Sequence, residues 1–343
     1  MIRASSHPYK PTADMSRFAV VGVISNPWRF QKRYEHYFHW ASMIEAAGVI
    51  CVTVEQAFGD RPFMVTRPDN PHHVQVRTVE ELWHKENMGN LGFRRAAEIV
   101  KGLREVAFCD TDIFPAKPPH EWMTETWHML QHYHAVQMGS SLINLGIEHD
   151  AIGKPPMPSF AANYLRYGSP TPHLHLDCNG GTYPYPGGKG WGWPGGCWAF
   201  NVDALNKLGG LVDFCILGSG DWYMACGLIG EMKMALDIRM APSQPYIAAL
   251  LHWQELAARY IQKDIGCVQG MLYHYFHGST KNKGYGSRGD ILTRNRFNPH
   301  TDIKYDVQGL LQLETWEPRQ IKLRDEVRRY FQSRFEDDTE GGR

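Results

Sequence analysis

The sequence predicts an α/β protein: a mixed, mostly parallel central sheet flanked by helices, in a single large domain with a C-terminal helical extension. Three observations predict it. The apolar runs Phe18–Ser25 and Val49–Val54 bracket a stretch of helical periodicity, which makes a β-α-β unit. A third β-prone run, Val106-Ala107-Phe108, carries no polar residue, as suits a strand buried on both faces of a parallel sheet. Glycine and proline punctuate the strand and helix patterns through the rest of the chain.

Composition bounds the function. The 343 residues suffice for one large or two ordinary domains, and a hydrophobic fraction of 43% allows a sizeable core. The 36 Lys and Arg balance the 36 Asp and Glu, so no global charge argues for nucleic acid or membrane, and such binding would need a local patch. The seven cysteines are scattered, odd in number and without C-x-x-C spacing, which reads as reduced core residues of an intracellular protein. No apolar run approaches membrane-spanning length and the N-terminus lacks a signal-peptide core, so the expectation is a cytoplasmic protein with no membrane partner.

In chain order, residues 1–17 read as a flexible polar leader. The helix after the first strand is expected over Trp28–Ala47, with Phe30, Tyr34, Phe38, Ala41 and Ile44 at helical spacing and Gly48 as its stop. Glu55 is expected just past the second strand, at its carboxyl end. No G-x-G-x-x-G follows the first strand, so a dinucleotide fingerprint is missing. A short strand, Val74–Arg77, precedes a mostly helical Glu80–Val100. That helix holds Lys85, Asn87 and Asn90, residue types that reach a nucleotide base or phosphate; the plainer reading is a solvated helix start.

The central stretch follows. The strand at 106–108 runs into Cys109-Asp110-Thr111-Asp112. Open α/β sheets bind ligands at the carboxyl edge of their strands. Strand side chains repeat every second residue, so Asp110 and Asp112 are expected to face the same way. Two such carboxylates repel unless a cation lies between them, and Mg²⁺ or Mn²⁺ holding a diphosphate suits them. The plainer reading is a surface turn.

Beyond it, Glu121–Gly139 reads as a helix whose His128, His132 and His134 lack metal-binding spacing. His173, His175 and Asp177 alternate as on one face of a strand, a spacing found in metal-dependent hydrolases. Gly180–Gly196 is dense in glycine, proline and aromatics, as a substrate-binding loop would be. After a strand at Cys197–Phe200 and a helix at Val202–Leu208, Asp221 lies in a Gly-rich turn before a helix at Tyr223–Ile229, as its N-cap or as a reactive carboxylate. A helix from Pro245 to Asp264 and a strand over Cys267–Leu272 lead into His274 and His277, then a basic loop with Lys281, Lys283 and Arg288. Arg319–Arg334 reads as a charged amphipathic helix and Phe335–Arg343 as disordered.

The order of these stretches resembles the nucleotide-diphospho-sugar transferases of the GT-A fold, most closely the glycosyltransferase-like proteins often encoded by bacteriophages. Lys85-Glu86-Asn87, Cys109-Asp110-Thr111-Asp112, Gly218-Ser219-Gly220-Asp221, and His277-Gly278 followed by Tyr285 and Arg288 carry the resemblance, which spans Phe18 to Arg296. It implies a catalytic domain over 18–300, with a nucleotide-sugar half at 18–114 and an acceptor half at 115–300, followed by an extension at 301–343. It implies Mn²⁺ or Mg²⁺ on Asp110 and Asp112 with His274 or His277. A UDP-sugar donor would be held by Glu55, Lys85, Asn87, Asp110, Lys281 and Arg288, with Asp221 as the catalytic base. The implied acceptor is a hydroxymethylated base in phage DNA, in the host cytoplasm, or otherwise a small molecule or glycan. The chain departs from the family in having Gly220-Asp221-Trp222 where Glu-Asp is usual, two candidate histidines, and no Pro-Trp after Lys281. Inversion and retention both stay open. The alternatives are a metal-dependent hydrolase built on His173, His175 and Asp177, and a non-catalytic protein that keeps the fold.

Overall fold

The computed structural model describes residues 13–149, 155–168, 192–237, 243–278, 282–284, 287–334 and 336–337. Met15–Arg17, expected within the flexible leader, form one 3-10 turn, and the Arg17 carbonyl accepts from Arg104 N–H. Then come β1 (Phe18–Ser25), α1 (Gln31–Ala46), β2 (Ile50–Phe58), β3 (His73–Thr78), α2 (Lys85–Ile99), β4 (Glu105–Cys109), β5 (Ile113–Pro115) and α3 (Pro119–Leu130). Next are β6 (Ala135–Gln137), β7 (Ser141–Asn144), β8 (Met157–Pro158), α4 (Phe160–Tyr167), β9 (Cys197–Asn201), α5 (Val202–Leu208), α6 (Gly220–Leu228) and α7 (Met232–Asp237). The chain continues through α8 (Gln244–Tyr260), β10 (Ile265–Cys267), β11 (Met271–His274), α9 (Gly289–Arg294), β12 (Ile303–Tyr305), β13 (Leu311–Leu313) and α10 (Pro318–Gln332).

The main sheet has seven strands in the order β10-β6-β9-β4-β1-β2-β3. All neighbours are parallel except β9, which runs antiparallel to β4 and β6. This is the mixed, mostly parallel α/β sheet that the sequence predicts. A smaller sheet, β5-β11-β7-β8, stands beside it. From β1 the chain first winds through β2 to β3, then returns to place β4 on the other side of β1. The carboxyl ends of β1 and β4 therefore flank a topological switch point, where open α/β sheets leave a crevice.

β1 is buried on both faces. Phe18 and Val20 pack with Trp40 of α1, while Ala19 and Val21 pack with Phe93 of α2. Glycine sets the helix distance on each side. A Cβ on Gly22 would lie 2.4 Å from Trp40 Cη2, and one on Gly92 would lie 2.3 Å from Val21 Cγ1.

Several expected boundaries move, each for a tertiary reason. β2 runs on to Phe58 because β3 pairs along it, which places Glu55 inside the strand. The helix expected to Gly139 stops at Leu130, because Ala135–Gln137 joins the sheet between β10 and β9. The strand expected over 267–272 breaks at Gly270, whose φ of 150° turns β11 out of the main sheet into the small one. The helix expected from Glu80 begins at Lys85. The C-terminal extension is docked: His84 Nε2 lies 2.8 Å from the Leu311 carbonyl oxygen, and Asn87 Oδ1 accepts from Leu311 N–H. Glu336 and Asp337, expected to be disordered, are packed against α1. Among the described residues no helix is long and apolar enough to cross a membrane.

Gly22→Ala should lower stability by about 1–3 kcal/mol, since Trp40 is fully buried and has no free space to yield. Urea unfolding measures this, and an unchanged midpoint would show that α1 does not rest on Gly22.

Candidate active site

β4 ends at Cys109, and the next three residues form a turn rather than a strand continuation. Asp110 N–H donates to the Gly196 carbonyl at 2.8 Å, and Ile113 N–H donates to the Asp110 carbonyl at 3.2 Å. Strand alternation therefore does not apply to Asp110 and Asp112, and the turn sends their carboxylates to different partners. Lys85 Nζ, from the first residue of α2, takes both Asp110 oxygens, at 2.7 and 2.9 Å. Asp112 turns towards His274 and His277.

Two backbone ties hold that second group together. β5 pairs antiparallel with β11, so His274 lies opposite Ile113, and Tyr275 N–H donates to the Asp112 carbonyl at 2.9 Å. Asp112 Oδ2 lies 3.1 Å from His277 Nε2 and 3.7 Å from His274 Nε2, and the two Nε2 atoms lie 3.1 Å apart. One ligand atom from each of the three residues falls within 4.8 Å of the others. Asn144 Oδ1, 2.6 Å from His274 Nδ1, accepts that ring proton and leaves the Nε2 lone pair facing the centre. Burial, with the Lys283 ammonium beside it, pushes His277 down to about 3, so its ring is neutral. Asp112 stays ionised, and its buried Oδ1 has no hydrogen-bond partner.

A carboxylate and two imidazole lone pairs aimed at one point repel one another unless a cation joins them. This donor set fits a divalent metal, and two imidazoles favour Mn²⁺ over Mg²⁺ while also suiting Zn²⁺ or Fe²⁺. Asp110 is not part of this convergence, contrary to its expected role as a ligand, because Lys85 occupies both its oxygens. Behind the triad the rings of Phe114 and Tyr275 pack with centroids 4.2 Å apart.

A small pocket adjoins Lys85 on the other side, walled by Phe108, Trp198, Leu211 and Met224. Asp221 and Glu86 enter it together with Lys85. Asp221 is not the N-cap of α6; Ser219 holds that position with φ 71°, and Asp221 follows in the first turn, where its Oδ1 accepts from Trp222 N–H at 2.8 Å. Glycines make room: a Cβ on Gly195 would lie 2.5 Å from Asp221 Oδ2, and one on Gly220 would lie 2.7 Å from Glu86 Cδ. Burial would discharge Lys85, but Asp110, Asp221 and Glu86 outweigh it and hold its pKa above the ordinary lysine range. Burial pushes Glu86 up to about 8; Lys85 opposes this and Asp221 adds to it.

Other expected site residues have structural partners. Glu55 accepts from Met64, Val65 and Thr66 N–H and from the Thr66 hydroxyl, so its carboxylate is committed to securing the 64–66 loop. Asn87 bridges α2 to the β12–β13 hairpin, donating to the Gly309 carbonyl and accepting from Leu311 N–H, each at 3.0 Å. Arg288 is buried, donating to Ser219 Oγ at 2.8 Å and reaching the Tyr330 hydroxyl at 3.4 Å. Lys281, and His173, His175 and Asp177 with the hydrolase reading, lie outside the described residues. The sequence reading missed Glu86, Asn144 and Glu336 and gave Lys283 no specific role. Lys283 Nζ lies 3.1 Å from His277 Nε2, and burial pushes it down to about 8. Only Glu86 had a signal, as the middle of Lys85-Glu86-Asn87.

No protein-family model matches the chain, and no curated protein does. Among solved structures, the catalytic domain of Drosophila β1,4-galactosyltransferase 7 bound to xylobiose is 11% identical, over 89% of this chain and 98% of that one, with a TM-score of 0.34. A mutant of the same enzyme in complex with manganese, UDP-Gal and xylobiose is 11% identical, over 90% and 98%, with a TM-score of 0.39. Likeness this low carries no argument about the chemistry of this chain.

Glu86 gives the pocket a pH signature. Its folded value, about 8, lies above the ordinary 4.5, so the folded chain keeps a proton that the unfolded chain releases. The resulting stability is fully present below about pH 4.5 and is lost as pH rises through about 8. Glu86→Gln should flatten the fall in Tm between about pH 5 and pH 8. A profile parallel to the wild type would show that Glu86 ionises normally in the fold.

Proposed function

We propose that the protein is a metal-dependent glycosyltransferase, moving a sugar from a nucleotide-diphosphate donor to an acceptor hydroxyl. One observation carries the reading: Asp112, His274 and His277, remote in sequence, converge beside the switch-point crevice with one ligand atom each around one point. A divalent cation there, Mn²⁺ before Mg²⁺, would supply Lewis-acid neutralisation of the departing diphosphate. Lys85 adds a fixed positive charge next to the same strand end and keeps Asp110 in place. Asp221, in the adjoining pocket, takes the proton from the acceptor hydroxyl. Glu86 holds its own proton at neutral pH and acts there as a hydrogen-bond donor. Phe108, Trp198, Leu211 and Met224 wall the pocket around these polar groups.

A UDP-sugar is the donor to test first. A hydroxymethylated base in phage DNA is the acceptor that the sequence resemblance implies. Lys283 and Arg288, from the loop that suggested phosphate contacts, are only 4% and 8% exposed, so they offer no open basic face for a duplex. The small pocket beside Asp221 has room for a single hydroxyl group, which a sugar or small-molecule acceptor would supply. The six described free cysteines, five of them buried, support a reducing, cytoplasmic location.

The test is Mn²⁺-dependent release of nucleotide diphosphate from a panel of sugar nucleotides, with glycans, small hydroxylated molecules, plain DNA and hydroxymethylated DNA as acceptors. Turnover with one donor is expected, and Asp112→Ala should remove both Mn²⁺ binding and turnover. Retention of both would end the metal reading, and donor binding without turnover would favour a non-catalytic protein.

Asp221→Asn should lower kcat by about 10²- to 10⁴-fold while leaving Mn²⁺ binding intact. Full activity would take the base role from Asp221.

A further inference from the structure

We propose that Glu336, from the C-terminal tail, is a positioning residue of the metal centre: it orients His277 for coordination and neutralises the cationic groups packed around it. The inference rests on the metal-site reading above and extends it to a part of the chain that the reading does not use.

The placement is specific. Glu336 is 1% exposed, and its carboxylate meets Arg33, which lies 303 residues earlier in the chain. Arg33 grips it with two nitrogens: Nη2 lies 2.7 Å from Oε1, and Nε pairs with Oε2. Arg334 Nη2 approaches Oε1 at 2.9 Å, and His277 Nδ1 lies 3.5 Å from Oε2. Asp337 anchors the tail beside it. Its Oδ2 accepts from Gln31 N–H at 2.9 Å and its Oδ1 from Lys32 N–H at 3.2 Å, at the N-terminus of α1, whose own cap residue, Phe30, has no capping side chain.

Two physical consequences follow. The first concerns the proton on His277. A carboxylate 3.5 Å from Nδ1, a charge contact rather than a hydrogen bond, favours the Nδ1–H tautomer, which leaves the Nε2 lone pair towards Asp112, His274 and the Lys283 ammonium. Asn144 does the same for His274 from the other side. Both imidazoles then present Nε2 to the centre.

The second concerns charge. Arg33 and Arg334 pair with Glu336 directly, and Lys283, whose ammonium lies against His277 Nε2, feels its charge together with that of Asp112. Without it, guanidinium and ammonium groups would face the ligand cluster uncompensated and would repel a divalent cation. A buried carboxylate is costly to maintain unless its partners are in place, and here those partners lead to a metal ligand.

The experiment uses the full-length chain. Mn²⁺ titrations followed by electron paramagnetic resonance would compare wild type, Glu336→Gln and Glu336→Asp, with circular dichroism to confirm folding. Nitrogen NMR of the histidine rings would report tautomers in the metal-free wild type. Glu336→Gln is expected to weaken Mn²⁺ binding by about 10- to 100-fold. Glu336→Asp, which keeps the charge with a shorter reach, should recover part of that loss. His277 in the wild type should carry its proton on Nδ1. Folded Glu336→Gln that binds Mn²⁺ as the wild type does would overturn this inference and leave the metal reading standing. A His277 proton on Nε2 in the wild type would overturn the orienting role even if the variant does not fold. A wild type that binds none of Mn²⁺, Zn²⁺ or Fe²⁺ would overturn the metal reading, and this inference with it.

Discussion

At the carboxyl ends of β1 and β4, carboxylates from distant parts of the chain meet buried ammonium, guanidinium and imidazole groups. Ionised groups in so dry a place must be matched locally, and the local geometry follows from that matching. Asp110 and Asp112 are one residue apart, and each has its own counter-group: Lys85 for the first, the two imidazoles for the second. The turn that separates them also ends β4 and starts β5. β5 then pairs with β11, and that pairing delivers His274. The small sheet thus serves the site directly, because it brings a histidine from late in the chain to an aspartate at the main sheet's edge.

The first half of the fold was legible because its strands are buried on both faces, and such strands leave uninterrupted apolar runs that helices and glycines bracket. The position of Asp110-Thr111-Asp112 at a strand end was legible for the same reason. Its local geometry was not. The alternation rule holds only while the chain remains a strand, and nothing in Cys109-Asp110 marks the end of hydrogen bonding with β9. Glu55 was misplaced by a related error: the pairing of β3 lengthens β2, and pairing is a tertiary fact. β6 was read as helix because three residues carry too little periodicity to outvote the helical pattern before them. The convergence of Asp112 with His274 and His277 was expected from motif order alone. Glu336 was not legible at all, since an acidic tail residue looks solvated until the fold supplies Arg33 and Arg334.

That tail changes how the C-terminal region is understood. Read in sequence, residues 301–343 form an appendage. In the structure the β12–β13 hairpin is bonded to α2, the helix that begins with Lys85 and Glu86. α10 reaches Arg288 through Tyr330, and Arg288 in turn fixes Ser219, two residues before Asp221. The C-terminal region therefore supports both sides of the crevice through ordinary packing and hydrogen bonds.

The two sides divide the chemistry. On one, Asp112 and two imidazoles converge, with the Lys283 ammonium against His277 and the Arg33 and Arg334 guanidiniums paired with Glu336. On the other, Lys85 faces three carboxyl groups: Asp110, Asp221 and Glu86. A single ammonium cannot compensate three negative charges at close range, so one acid should keep its proton. Burial selects Glu86, the most enclosed of the three, whose pKa rises to about 8. A carboxyl that keeps its proton cannot take one from a hydroxyl. Asp110 is held by Lys85 through both oxygens, and for that reason the proposed base is Asp221. Environments that push neighbouring acids apart assign their roles, and here burial and a shared lysine make that separation.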